Sequence, residues 1–141
     1  MTTSLIKPLY TARATATGGR SGHAVSDDGV LDLDLKPPAE MGGPGGATNP
    51  EQLFAAGYAA CFQSALAVVG RRQGVDTGGS RVEADVTIGT IPGGYGLAVA
   101  LRVSIPGADA ETTRGLAEAA HQVCPYSNAT RGNIDVTVSA A

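Results

Sequence analysis

Two cysteines, Cys61 and Cys124, have the strongest claim to chemistry in this sequence. Cys61 lies in the longest apolar run of the chain, "NPEQLFAAGYAACFQSALAVVGRR", from Asn49 to Arg72. A thiol in such a run is ordinarily a small packed hydrophobe. Reactivity requires a positive neighbour, access and a chemical partner. Cys124 stands in "VCPYSNATRGN". There Pro125 forces a turn, a better place for an accessible thiol than mid-helix. The two cysteines are 63 residues apart, so only the fold can bring them together. Taken singly, each reads as core filler.

Other chemistries fare worse. No C-x-x-C motif is present, which excludes a thioredoxin-type pair. His121 and Cys124, three apart, can face one ion. Two ligands do not close a site, and only Cys61, His23 and carboxylates remain to complete it, so no metal is expected. Neither His23 nor His121 lies in a motif that suggests a base paired with a nucleophile, which disfavours a cysteine hydrolase. Glycines before a helix start in "GGPGGATNPE" suggest a phosphate cradle. The lysine of a P-loop is missing, however, and Glu51 would repel a phosphate.

These residues need a fold to position them, and 141 residues suffice for one domain, 1–141, with a real core. A formal charge of -3 argues against a nucleic-acid partner. The opening "MTTSLIKPLY" lacks the long apolar segment of a secretory signal. Glu51, Gln52 and Gln63 interrupt the apolar run, which disfavours a membrane span. A cytoplasmic protein is expected. Two cysteines do not make a structural disulfide framework. The 20 glycines cluster between periodic segments, as turns do in a compact fold.

Strands are expected at Tyr10 to Thr17 and at Val30 to Leu35, where "VLDLDL" alternates and puts Leu31, Leu33 and Leu35 on one face. Asp28-Gly29 marks a hairpin between them. Residues 36–49, "KPPAEMGGPGGATN", read as a loop. A helix then starts with Asn49 as N-cap, Pro50 at the first position and Glu51 in the first turn, and runs to about Gln73. It is apolar almost all round, and such a helix is buried on every side. A second chain is expected to cover part of it. "RVEADVTIGTI" and "YGLAVALRVSI" read as two strands joined through Pro92, Gly93 and Gly94. A second helix follows, capped by Asp109 and stopped by Pro125, and "NIDVTVS" closes as a strand. The order describes an α+β domain without the βαβ alternation of a parallel sheet.

"TGGRSGHAVSDDGVLDLDL", "GGPGGATNPEQLFAAGYAACFQSAL" and "VCPYSNATRGNIDVTV" closely resemble the organic hydroperoxide resistance (Ohr) proteins within the OsmC/Ohr family. The match covers nearly the whole chain in the right order. The resemblance implies an intertwined homodimer, antiparallel sheets around long central helices, with active sites at the interface. It implies a thiol-dependent peroxidase, active on organic hydroperoxides and re-reduced by a dihydrolipoyl dithiol on a lipoylated protein, with no bound cofactor. Cys61 matches the family's peroxidatic cysteine and Cys124 its resolving cysteine. Arg20 matches the arginine that activates the thiolate, and Glu51 the glutamate that pairs with that arginine.

The chemistry asks for these residue types. A thiolate attacks the O–O bond, so Cys61 must ionise near neutral pH although burial alone raises a thiol's pKa. A permanently charged Arg20 would offset that and donate to the leaving alkoxide. Glu51 would hold the guanidinium fork. Phe54, Tyr58, Phe62 and Tyr126 would line an apolar site suited to alkyl and lipid hydroperoxides. Glu51 and Cys61 are ten residues apart, about 15 Å along a continuous helix. Each site is therefore expected to combine Cys61 and Cys124 of one chain with Glu51 of the other, Arg20 coming from either. The alternative is an OsmC-like or non-catalytic stress or binding protein with two packed thiols.

Overall fold

The computed structural model describes residues 2–141, which divide into two compact units, one ending at Pro50 and one running from Glu51 to Ala141. The first unit holds an antiparallel sheet of β1 (Ala14–Thr17), β2 (His23–Ser26) and β3 (Asp32–Asp34), in that order. Both outer strands are shorter than their sequence pattern. β1 begins at Ala14 rather than Tyr10 because its partner β2 ends opposite it, Ala14 pairing with Ser26. Val30 and Leu31 are drawn into the turn instead of the strand. The Ser26 N–H donates to the Leu31 carbonyl (2.7 Å), and the Val30 N–H donates to Asp28 Oδ1 (3.0 Å).

Across β2 and β3, His23 lies between two carboxylates. Its Nδ1 is 2.8 Å from Asp34 Oδ1, and its Nε2 bonds Asp32 Oδ1. These bonds, Asp34's first, raise the imidazole above its ordinary pKa of 6.5. Leu35 ends the segment in a parallel bridge to Thr48 and is buried.

α1 (Pro50–Gln73) opens the second unit and spans the expected residues. Its end is a Schellman motif. Gly74 takes φ 71°, its N–H donates to the Arg71 carbonyl (3.3 Å), and the Val75 N–H donates to the Gly70 carbonyl (2.9 Å). The helix is long and apolar enough to cross a membrane on those criteria alone, but one face is packed into a core. β4 (Arg81–Ile91) and β5 (Gly94–Ser104) form a hairpin whose loop is Pro92 and Gly93. α2 (Ala110–Val123) is capped by Asp109, whose side chain accepts from the Thr112 N–H at 2.7 Å. α3 (Pro125–Thr130) follows after one residue, and β6 (Val136–Ala140) completes the sheet in the order β4-β5-β6.

Three further features depart from the sequence reading. β2 occupies residues 23–26, a segment read as turn between two strands, because His23–Ser26 pairs with both neighbours. α3 was not expected: Pro125 ends α2 but also suits the first position of a new helix, where a missing N–H costs nothing. β6 pairs parallel to β5, so one βαβ crossover through α2 and α3 sits in an otherwise antiparallel sheet.

β5 is the middle strand, and its alternate residues Val99, Leu101 and Val103 are buried. They pack with Tyr58, Phe62, Leu66 and Val69 of α1 and Leu116, Ala117 and Ala120 of α2. Each large side chain in that cluster contributes roughly 1.5–3 kcal/mol by its burial. On the sheet's outer face Arg102 holds Asp85 (2.7 and 3.1 Å) and Glu83 (3.1 Å) across the strands.

Candidate active site: a thiol pair beside a ring cluster

Cys61 sits mid-way along α1, and Cys124 is the single residue between α2 and α3. The fold brings them together. Both are free thiols, and the Cys124 Sγ–H donates to Cys61 Sγ at 3.6 Å. A disulfide needs about 2.05 Å, so closure asks for roughly 1.5 Å of approach.

The exposure of the two is the reverse of the sequence reading. Cys124 is fully buried and Cys61 is partly open. Pro125 does make a turn, but α3 starts at that turn with Ser127 and Thr130 buried, and the Cys124 side chain joins the main apolar core. The Asn128 N–H donates to the Cys124 carbonyl (2.9 Å), closing the first turn of α3 on it.

Burial is the main influence on the Cys61 thiol and pushes its pKa up. The Tyr126 backbone N–H, at the start of α3, donates to the sulfur and pulls the value back, while the neighbouring Cys124 thiol adds to the rise. A thiolate at neutral pH therefore needs a positive charge beyond these groups.

Three rings pack against each other beside the cysteines. Phe54 and Tyr58 stand edge to face at 6.1 Å, Phe54 and Tyr126 likewise at 6.1 Å, and Tyr58 and Tyr126 are 5.6 Å apart. Phe54, Tyr58 and Cys61 follow the i, i+4, i+7 spacing of one helix face. Gly57 makes room for the third ring: a Cβ there would stand 2.9 Å from Tyr126 Oη and 3.3 Å from its ring. Phe62 belongs elsewhere, fully buried in the main core with Leu66 and Leu101.

Arg20 lies in a 3-10 turn, Gly19–Ser21, of the first unit. Gly18 enters that turn at φ 76°, and a Cβ on Gly22 would stand 1.7 Å from the Thr17 carbonyl oxygen, so neither position accepts a side chain. Glu51 is in the first turn of α1. Because α1 is unbroken to Gln73, Glu51 and Cys61 of one chain stay about 15 Å apart along the axis.

Sequence reasoning missed a set of hydrogen-bonding residues behind the thiols. Tyr58 Oη shares hydrogen bonds with Ser127 Oγ (2.8 Å) and Thr130 Oγ1 (3.1 Å), and Ser127 Oγ is 2.6 Å from His121 Nδ1. The Arg131 guanidinium donates to the His121 carbonyl and to Asn128 Oδ1 (2.9 Å). Burial, and then the Arg131 charge, push the His121 pKa below its ordinary 6.5. The one available signal was the three-residue spacing of His121, Cys124 and Ser127, which also fits an ion site.

The model of the OsmC-like protein family matches residues 43–139. The organic hydroperoxide resistance protein of Xanthomonas axonopodis pv. citri is 57% identical over 137 residues, 96% of either chain. A solved structure of an organic hydroperoxide resistance protein from Legionella pneumophila superposes with a TM-score of 0.90 at 50% identity, covering 96% of this chain and 99% of that one. A Vibrio cholerae relative, described with captopril bound in one of its active sites, gives a TM-score of 0.91 at 50% identity over 97% and 95%. With a family model matched over most of its length and relatives of this identity, the chain belongs to the organic hydroperoxide resistance group of the OsmC family.

Proposed function

We propose that this protein is a thiol-dependent peroxidase that reduces organic hydroperoxides in defence against oxidative stress. The relatives' names support the coarse role. The observation that carries the mechanism is the pair of free thiols 3.6 Å apart, one partly open and one buried beside it. The Cys61 thiolate attacks the distal oxygen of ROOH. The O–O bond breaks, Cys61 becomes a sulfenic acid, and the alkoxide takes a proton to leave as ROH. The Cys124 thiol then displaces the hydroxyl, releasing water and forming the Cys61–Cys124 disulfide. A dihydrolipoyl dithiol carried on a protein returns both thiols and is itself oxidised to the cyclic disulfide.

Arg20 supplies the positive charge that the Cys61 thiol needs against the effect of burial, and Glu51 orients its guanidinium. The separation of Glu51 from Cys61 on one helix supports a site completed by a second copy. So does the exposure of Leu5, Ile6, Leu9, Tyr10 and Val30, apolar side chains whose cover a homodimer supplies. Phe54, Tyr58 and Tyr126 form the apolar wall for the alkyl chain, with Phe62 supporting it from the core. The reaction belongs in the reducing cytoplasm and uses no bound metal or cofactor.

One observation favours a second reading, a non-catalytic protein with packed thiols: burial raises the Cys61 thiol. Free-thiol count and intact mass after one equivalent of tert-butyl hydroperoxide separate the two. The peroxidase loses both thiols and about two mass units per chain, and Cys124→Ser accumulates sulfenic or overoxidised Cys61. Thiols that survive equimolar peroxide for minutes establish the packed-thiol reading instead.

A further inference from the structure

The hydroxyl chain behind the cysteines joins three helices. Tyr58 is on α1, His121 on α2, and Ser127 and Thr130 on α3. Each cysteine lies three residues, nearly one helical turn, from a member of that chain: Cys61 follows Tyr58, and Cys124 falls midway between His121 and Ser127. Tyr58 and Ser127 are fully buried and Thr130 nearly so. A lost partner at the buried Tyr58, Ser127 or Thr130 hydroxyl leaves a polar group unsatisfied, so the bonds between them cost more to break than exposed ones. An apolar core of the same shape would avoid that demand. Three buried hydroxyls bonded to one another, with His121 at the end of the chain, favour a single arrangement of the helices that carry them.

We propose that the Tyr58–Ser127–His121 chain, with Thr130, is a spacing lock that holds the two thiols at closing distance, which makes Ser127 and His121 positioning residues for disulfide formation. The inference rests on the two-thiol reading above and assigns the second step of that reaction to a structural cause. In that step Cys61–SOH and HS–Cys124 give the disulfide and water, the Cys124 proton leaving with the hydroxyl. The sulfurs have about 1.5 Å to travel, and misplacement on that scale is enough to slow an intramolecular reaction severely. Arg131 reinforces the lock by tying the His121 carbonyl at the end of α2 to Asn128 on α3.

The test is the partition of Cys61 after one equivalent of tert-butyl hydroperoxide, with dimedone trapping sulfenic acid in competition with closure. Ser127→Ala removes both the Tyr58 and the His121 bond, and the ratio of closure rate to sulfenylation rate falls roughly tenfold or more. The dimedone adduct rises accordingly. Ser127→Thr, which keeps the hydroxyl, restores the ratio, and Tyr58→Phe lowers it by removing the α1 end of the chain. If Ser127→Ala does not fold, Tyr58→Phe gives the same reading. A lowered thermal midpoint with an unchanged ratio in both variants overturns the lock and leaves the peroxidase standing. A wild type whose Cys61 never reacts overturns both.

Discussion

The two units are held together by different means. The second has a continuous apolar core drawn from α1, β5 and α2, with Tyr58, Phe62, Leu66, Leu101 and Leu116 almost wholly out of solvent. Among the described residues the first unit buries one large apolar side chain, Leu35. Its strands are three and four residues long. It relies on glycine turns and on His23 between Asp32 and Asp34. A small sheet without an apolar face of its own is marginal in water. The unit with the core carries the two thiols, and the unit without one carries Arg20 on a turn that admits no side chain at Gly18 or Gly22.

The sharpest way to break the comparison is chemical. On the proposed mechanism, Cys61→Ser removes the nucleophile from the second unit and lowers peroxidase turnover by at least about 10,000-fold. Arg20→Met in the first unit leaves the thiol in place, so turnover falls by about 100- to 1,000-fold. It also moves the rising limb of the pH–rate profile upward. Equal losses with an unmoved profile would deny Arg20 its role.

Stability should separate the units next. Phe62→Ala costs roughly 3–5 kcal/mol in urea unfolding because it opens a cavity in the core. Ile6→Asp, at a fully exposed position, should leave the urea midpoint of the dilute protein nearly unchanged. If the proposed homodimer uses this surface, light scattering gives a dimer for the wild type and a monomer for the variant. Gly57→Ala is smaller. The helix gains about 1 kcal/mol from alanine, while displacing the Tyr126 ring costs about 1–3 kcal/mol. A net loss together with altered near-ultraviolet circular dichroism is expected.

The smallest effects, on pH dependence, have opposite signs in the two units. His23 is raised above 6.5 by Asp34 and Asp32. Its contribution is fully present below pH 6.5 and is lost as pH rises through the folded value. His121 is lowered by burial and by Arg131. Its contribution is present above pH 6.5 and is lost as pH falls through the folded value. His23→Gln should flatten the alkaline side of the stability curve and His121→Gln the acid side. Histidine chemical shifts followed by NMR would give the two titrations directly.

How much of this was legible beforehand follows physical lines. α1 could be placed because Asn49 and Pro50 mark its start and the apolar run carries it to about Gln73. The β4–β5 hairpin was equally plain, since alternation and a Pro-Gly turn are local signals. α3 was hidden because six residues carry no apolar period and Pro125 reads as an ending. The direction of β6 is not written in β6 at all; it depends on the length of the crossover that precedes it. Cys124 looked accessible for a related reason. Whether a residue beside a proline is open or covered depends on tertiary packing, and here Cys124 is buried in the main apolar core. The identity of the cysteines as a pair came from resemblance, because 63 intervening residues leave no local trace of a contact.

In the proposed cycle, the unequal depth of the two sulfurs gives the reductive half a direction. If the disulfide keeps that inequality, an incoming dithiol meets the Cys61 sulfur from outside and forms its mixed disulfide there. Cys124 is then the leaving group and retreats toward the interior with its electron pair. Regeneration is thus regioselective by shape. The sulfur that met the oxidant also meets the reductant, and its partner never has to face the solvent.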